Sequence, residues 1–496
     1  MALLQSLYGT SLALLTDLYQ LTMAAAAFDS GLTGREAAFT LSFRKHPFEG
    51  GYTVAAGLDT ALEYIELFRF SEEDLAYLAG LRDDLGAPLL KPGFLEFLRD
   101  LRLDVDVDAV PEGTPVFPYE PLVRVRGPIV PCMLLETPLL AIVNFQTLVA
   151  TKAARICQAA QGEPVLEFGL RRAQGVDGSI TAARAAYVGG CAATSNVLAG
   201  RLLGIPARGT HAHSWVMLIG DELEAFKAYA RSMPGNCTLL VDTFDSLAGV
   251  RHAIEVGLWL REHGGRLAGV RLDSGDLAWL SQEARRMLDA AGLRDTAIVA
   301  TNELDERIIE SLKDQDAKAN VWGVGTRLVT GAPDAALGGV YKLGAVRSPG
   351  GAWEHRVKVS EQTAKASIPG WLQVRRFQRG DEVVADMIWD ELLGAPPERP
   401  LIVDPLDLTR RREVLPQESG VDLLVPAVRS GRVVAERPPL DAIRQRTGAE
   451  LARFHPGVRR FVNPHRFPVG LERGLFDART RLILEARGLA EDAGAS

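Results

Sequence analysis

The stretch RGTHAHSWVM, residues 208–217, sets His211 and His213 two positions apart behind the apolar segment LLGIP. Other residues suited to holding anions or metals recur just after short apolar runs. They are Arg171 and Arg172 in GLRRAQG, Asp242 and Asp245 in VDTFD, and Arg271, Asp273 and Asp276 in GVRLDSGDL. Asn302, Glu303 and Asp305 follow in TNELDE, then Gly323, Gly325, Thr326 and Arg327 in GVGTRLVTG. Arginines grip anionic oxygens in a fork, carboxylates hold a metal or ribose hydroxyls, and backbone N–H groups of a glycine loop cradle phosphate. Gathered in one mouth, such a mixture suits a phosphorylated substrate carried with Mg2+.

Each piece also has a plainer reading. RLDSGD is equally a turn that caps the next helix. GVGTRLVTG is neither a Walker loop nor a dinucleotide fingerprint, so a tight strand-to-helix turn explains it as well. GLRRAQG reads as a solvated basic helix start, although two arginines oppose the helix dipole there, a cost that hints at an anion between them. Gly338 and Gly339 read as a turn. On a strand, His211 and His213 would point to opposite faces, which argues against a metal site built from both unless the strand has ended. One buried and one active histidine is the expected division.

The elements that must position these residues form a repeating pattern from about residue 160. EPVLEFGLRR, IPARGTHAHS, CTLLVDTFDS, LAGVRLDSGD, TAIVATNELDE and ANVWGVGTRL each begin apolar, end polar, and lead into a helical segment. Val241, Val270 and Val299 recur at equal intervals of the length of one βα unit. A series of such units predicts a parallel sheet with its polar residues at the carboxyl ends of the strands, where α/β barrels and open sheets both place their sites. Six consecutive units without a sign of strand-order reversal favour the barrel. The helix in DSLAGVRHAIEVGLWLREHGG is expected to be capped by Asp245 and stopped by Gly264 and Gly265.

The flanks differ. EEDLAYLAGLRDDLG reads as helix, and LRLDVDVDAV and LVRVRGPI as strands, so residues 1–130 form an α+β domain. The barrel is placed at 131–340. GVYKLGAV, HRVKVS and WLQVRRF make 341–435 a strand-rich segment returning to the first domain, and 436–496 a helical and irregular tail. The fold class is therefore α/β, an incomplete TIM-like barrel beside an α+β domain built from both flanks.

Composition sets limits on partners and setting. A formal charge of −8 over 496 residues gives no global field for nucleic acid or anionic membrane, so an anionic ligand must be held by local cations. Cys132, Cys157, Cys191 and Cys237 are widely spaced with no CxxC pair, which fits a reducing cytoplasm rather than a zinc site or disulfide framework. The amino terminus lacks the basic start and cleavage site of a signal peptide. The most apolar stretch, IVPCMLLETPLLAIVNFQTLVA, is interrupted by Glu136, Pro138, Asn144 and Gln146. It is expected to be a strand end and then a buried helix from about Pro138, with no membrane span.

Taken in order, TDLYQLTMA (16–24), EFGLRRAQG (167–175), AHSWV (212–216), VDTFD (241–245), GVRLDSGDL (269–277), GVGTRLVT (323–330) and ALGGVYKL (336–343) resemble the nicotinate phosphoribosyltransferase family. The resemblance implies the incomplete barrel with its flanking domain, and a homodimer with active sites at the interface. It implies formation of nicotinate mononucleotide and pyrophosphate from nicotinate and phosphoribosyl pyrophosphate in NAD salvage, with Mg2+ and coupled ATP hydrolysis. By its place in AHSWV, His213 is the implied phosphohistidine, and Asp273 joins it in the catalytic set beside the ribose. Tyr19, reaching across the dimer, and Phe168 are implied to sandwich the pyridine ring. Arg171 and Arg271 are likewise implied to lie near the carboxylate and phosphates, residues 323–327 to surround the 5′-phosphate, and Ser195, Thr210 and Asn302 to complete the substrate contacts. The metal ligands are not assigned.

Four positions depart from the family pattern. Ala193 stands before TSN where glycine is frequent, which bears on backbone approach to the carboxylate through Ser195. Trp371 and Leu372 follow PG where lysines are common, removing phosphate or ATP contacts. His211 occupies a position where apolar residues are also found, and is expected to be a supporting neighbour. The related nicotinamide phosphoribosyltransferase is the nearest alternative, and a barrel phosphosugar enzyme a remoter one. The latter needs a lysine or enolising base at a strand end, and none of the six strand ends carries a lysine.

Overall fold

The computed structural model describes residues 3–361 and 366–489 and divides into two compact units. One comprises residues 1–148 together with 336–496, the other residues 149–335. The division thus falls inside the helix Glu136–Ala159 and just before the strand Gly339–Arg347, rather than at 131 and 340. The tail expected from 436 onward is part of the first unit, and its residues 490–496 lie outside the described residues.

The second unit is built on a six-stranded, wholly parallel sheet. Its spatial order is Ala193–Thr194, Val165–Glu167, Val321–Val324, Ala297–Ala300, Leu267–Leu272 and Cys237–Leu240. Followed round, this is chain order with the last strand paired to the first, and the circle is open between the second strand and the third. It is an incomplete barrel. The short apolar runs such as AIVA suit strands buried on both faces. Asp245 accepts a hydrogen bond from the Ala248 N–H and caps the helix Ser246–Glu262, which ends just before Gly264, in the left-handed conformation at φ +76°.

One of the six expected strands is absent. Within IPARGTHAHS only Ala207 pairs, as an isolated bridge to Thr194. Pro206 has no N–H to give a ladder, and the strand beside Val165–Glu167 is the two-residue Ala193–Thr194. Ahead of this unit, residues expected to end a strand are already helical, as Ile129–Leu134, followed by Glu136–Ala159. Pro131 and Pro138 each occupy a first turn, where an N–H has no intrahelical acceptor to lose. By length and hydropathy the span Ile129–Ala159 could cross a membrane, but 56% of its most apolar window is buried within the fold.

The first unit interleaves the two flanks. An antiparallel seven-stranded sheet pairs Glu36–Phe43 with Gly339–Arg347 on one side and Val123–Pro128 on the other, and continues through Asp106–Ala109 to Val425–Arg429. A six-stranded sheet centres on Leu372–Arg379 and Glu382–Asp390. Leu41, Phe94, Val125, Tyr341, Val374 and Leu475 share one buried core, which ties segments from both chain flanks into one unit. HRVKVS, expected as a strand, contributes only His355, the second residue of the strand Glu354–His355. Trp371 and Leu372 are buried here, the Trp371 ring 4.2 Å from the Arg124 guanidinium and the Leu372 carbonyl accepting a hydrogen bond from the same arginine. Tryptophan at that position serves packing and a cation–π contact.

Candidate active site

Because all six strands run parallel, the polar residues that follow them leave at one end of the sheet. Arg271, within Leu267–Leu272, donates from Nε to Thr301, from one terminal nitrogen to Thr210 at 3.0 Å, and from the other to Asp273 at 2.9 Å. Thr301 also donates to Asp273. The next carboxylate, Asp242, accepts from the Asp273 N–H at 2.8 Å and from the Ser274 hydroxyl at 2.7 Å through Oδ2. Its Oδ1 is buried and has no hydrogen-bond partner.

His213 sits at the first position of the helix His213–Ile219 and faces these groups. Its Nδ1 is 3.2 Å from the Thr243 hydroxyl, and its Nε2 lies 3.8 Å from Asp273 and 4.0 Å from Asp242. The side chain is 41% exposed, open to an incoming ligand, with a carboxylate on either side of Nε2. His211 lies two residues earlier yet is buried, and burial, with Arg271 and His213 nearby, pushes its pKa below the usual imidazole value. The strand has ended before either histidine, and their rings still part company.

Phe168 follows Val165–Glu167, its N–H donating to the Val324 carbonyl. A Cβ at Gly323 would stand 2.6 Å from Thr301 Cγ2 and 2.8 Å from the Phe168 ring, so glycine there makes room for the aromatic ring. Gly325 precedes the short helix Thr326–Val329; Arg327 pairs with Asp305 at 3.0 Å, and the Thr326 hydroxyl is 3.4 Å from Glu303. Asn302 is exposed in the left-handed region at φ +92°, a conformation asparagine tolerates. Ser195 directly follows Ala193–Thr194, where its N–H donates to the Glu167 carbonyl. Arg171 and Arg172 lie exposed on a single 3-10 turn, Leu170–Arg172, ahead of the helix Val176–Val188. Tyr19 belongs to the first unit, 47% exposed on the helix Leu18–Asp29.

The carboxylates divide by task. Asp276 accepts from the Trp279 N–H, and Asp305 from the Arg307 and Ile308 N–H groups, as helix caps. Both readings of RLDSGD are therefore realised, capping by Asp276 and facing the histidine by Asp273. Thr243 and Thr301 carry no motif signal in the sequence; their position within three residues of the end of a buried strand is the available one. Glu167 was missed as well. It is buried, accepts from the Thr194 hydroxyl and the Gly169 N–H, and burial holds its pKa above the usual carboxylate value.

Residues 14–144 match the family described as nicotinate phosphoribosyltransferase (NAPRTase) N-terminal domain, and residues 373–479 the nicotinate phosphoribosyltransferase C-terminal domain. The chain is 40% identical over 492 residues to the nicotinate phosphoribosyltransferase of Bacillus subtilis, covering 97% of each. It is 35% identical over 531 residues to that of Homo sapiens, covering 93% of this chain and 95% of the other. The crystal structure of human nicotinic acid phosphoribosyltransferase superposes with a TM-score of 0.80 at 34% identity, covering 94% of this chain and 99% of that one.

Proposed function

This chain belongs to the nicotinate phosphoribosyltransferase family, and we propose from that membership and the geometry at His213 that it joins nicotinate to phosphoribosyl pyrophosphate, with ATP hydrolysis coupled to the transfer. The products are nicotinate mononucleotide and pyrophosphate, a step of NAD salvage. The pyridine nitrogen forms a bond to the anomeric carbon as the bond to the pyrophosphate oxygen breaks. Positive charge grows on the ribosyl ring and negative charge on the leaving group, so the site needs placed charges more than a strong base. Asp273, fixed by Arg271 and Thr301, supplies an oriented carboxylate beside the ribose, and Arg271 and Arg171 supply cations for the anionic groups. Ser195, Thr210, Asn302 and the 323–327 loop provide further hydrogen-bonding groups at the same ends of the strands.

The observation that carries the coupling is His213 itself, exposed at a helix start, one ring nitrogen on Thr243 and the other facing Asp242 and Asp273. It takes the terminal phosphoryl group of ATP as ADP leaves, and water later releases phosphate. The donors fit Mg2+: Asp242 Oδ1 is a buried oxygen that receives no hydrogen bond, and Asp273 lies beside it. Among the described residues no cluster of three or more such side chains could enclose a metal, in keeping with an ion held by one or two carboxylates and completed by substrate oxygens. Mg2+ held there would neutralise phosphate charge.

The exposed Tyr19 supports a homodimer in which this ring completes the partner's site. Four free cysteines support a cytoplasmic setting. The deciding experiment measures product from phosphoribosyl pyrophosphate with nicotinate or nicotinamide, with and without ATP. Nicotinate is expected to turn over faster, and ATP to raise the yield; preferential use of nicotinamide overturns the reading. His213→Ala is expected to keep the fold and to lose both the phosphate label from γ-labelled ATP and the stimulation by ATP. Label that persists in this variant removes His213 as the carrier.

A further inference from the structure

The wall of the barrel has one seam, between Ala193–Thr194 and Cys237–Leu240, the two edges of the sheet. The segment that carries the histidines crosses it. At one edge Thr194 exchanges backbone hydrogen bonds with Pro206 and Arg208, its N–H donating at 3.0 Å and its carbonyl accepting at 2.9 Å. At the other edge the Val241 N–H donates to Arg271 in the neighbouring strand, so the Leu240 N–H, one residue earlier, points the opposite way into the seam. Its acceptor is a side chain: His211 Nε2, at 3.2 Å.

His211 is held for this contact. It is 8% exposed, its ring meets Tyr229 edge-on at 4.9 Å and lies 5.9 Å from Phe226. Its Nδ1 lies 3.3 Å from the Ala212 carbonyl. One tautomer satisfies both contacts: the proton on Nδ1 donates to Ala212 and the lone pair on Nε2 accepts from Leu240. Leu240 leads within three residues to Asp242 and Thr243, which flank His213, while Thr210 on the crossing segment is tied to Arg271. The distance between the reacting ring and its neighbours therefore depends on how the segment is pinned to the strand.

We propose that His211 is a positioning residue for His213: its neutral imidazole takes the place of a missing strand carbonyl at the open seam, and so fixes His213 against Asp242 and Thr243. The proposal rests on the reading of His213 as the reacting group. An apolar residue of the same size would fill the space and leave a buried N–H without an acceptor, a cost packing cannot remove. Were His211 a packing ring alone, leucine would replace it without loss.

The test uses the full-length enzyme with 15N-labelled histidine, together with His211→Leu and His211→Gln, whose amide oxygen can reach where Nε2 stood. In the wild type at neutral pH, His211 is expected to show the Nδ1–H tautomer; an Nε2–H tautomer overturns the proposal. His211→Leu is expected to shift the His213 ring resonances and to lower kcat by about tenfold or more, since misplacing a reacting group by ~1 Å can cost of order a hundredfold. KM for nicotinate should stay within about twofold, as expected when ground-state binding is untouched. His211→Gln should bring back the His213 resonances and most of kcat. Wild-type kcat in the leucine variant, or a glutamine variant no better than leucine, sinks the idea. If leucine prevents folding, the tautomer and the glutamine variant still decide it. A wild-type enzyme that makes no product refutes the functional reading, while the His213 resonances still report on the seam.

Discussion

Two carboxylates lie within 4.0 Å of one imidazole where Asp242 and Asp273 face His213, and the threonines beside them select which oxygen or nitrogen remains available. Four other charged candidates of the strand ends show how the same residue types serve structure: Asp245, Asp276 and Asp305 cap helices, and Arg327 pairs with Asp305. His211 carries a pH dependence at this scale. Burial lowers its folded-state pKa below 6.5, with Arg271 and His213 adding repulsion and Tyr229 edge-on against the ring. The unfolded chain then binds the proton more readily, so the stabilisation is complete above the ordinary imidazole pKa and is lost as pH falls through it toward the lowered value. Thermal midpoints of wild type and His211→Gln should therefore diverge in favour of glutamine between about pH 7.5 and 5.5, the range in which an imidazole titrates. A gap that stays constant over that range refutes the neutral, acceptor role.

At the scale of elements, the barrel depends on how closely each helix seats against its strand. Gly249, in Ser246–Glu262, packs against the backbone of Val241, whose carbonyl occupies the place a Cβ would take. Gly178, in Val176–Val188, has nothing within 4 Å of that place. Gly249→Ala should destabilise the protein by about 1–3 kcal/mol through overpacking. Gly178→Ala should stabilise by ~0.5–1 kcal/mol, because alanine loses less backbone entropy in a helix. Denaturant titration of both variants checks this, and equal effects would mean that helix-to-strand seating does not limit stability. The βα units themselves were legible because a strand buried on both faces must be an uninterrupted apolar run and a capped helix must start with Asp, Asn or Ser. Ala193–Thr194 was illegible: two residues carry no periodicity, and only pairing with Leu166 and Glu167 makes them a strand.

At the scale of the whole molecule, Tyr19 and His213 belong to different units of one chain, and the proposed dimer supplies the ring to the opposite site. Tyr19→Ala and His213→Ala chains should each lose the ATP-stimulated activity. Refolded or co-expressed together, they should recover about a quarter of the wild-type ATP-stimulated activity, since two-fold symmetry gives half the dimers one intact and one doubly altered site. Activity that merely averages the two parents would place Tyr19 in its own chain's site or in none. Light scattering on the wild type gives the oligomeric state directly.

The order of apolar runs and the polar residues behind them determined, without coordinates, that the chain carries a parallel α/β unit with its candidate groups at one end of the strands. That follows because strand length, helix capping and burial are local or periodic properties. Contacts between distant segments decided the rest. The pairing of Glu36–Phe43 with Gly339–Arg347 joins the flanks into one unit, and the 29-residue reach from His211 to Leu240 turns a neighbour of the active histidine into a strand's missing acceptor. A sequence records which side chains can accept a hydrogen bond; which buried N–H lacks an acceptor is known only once the sheet has closed as far as it can.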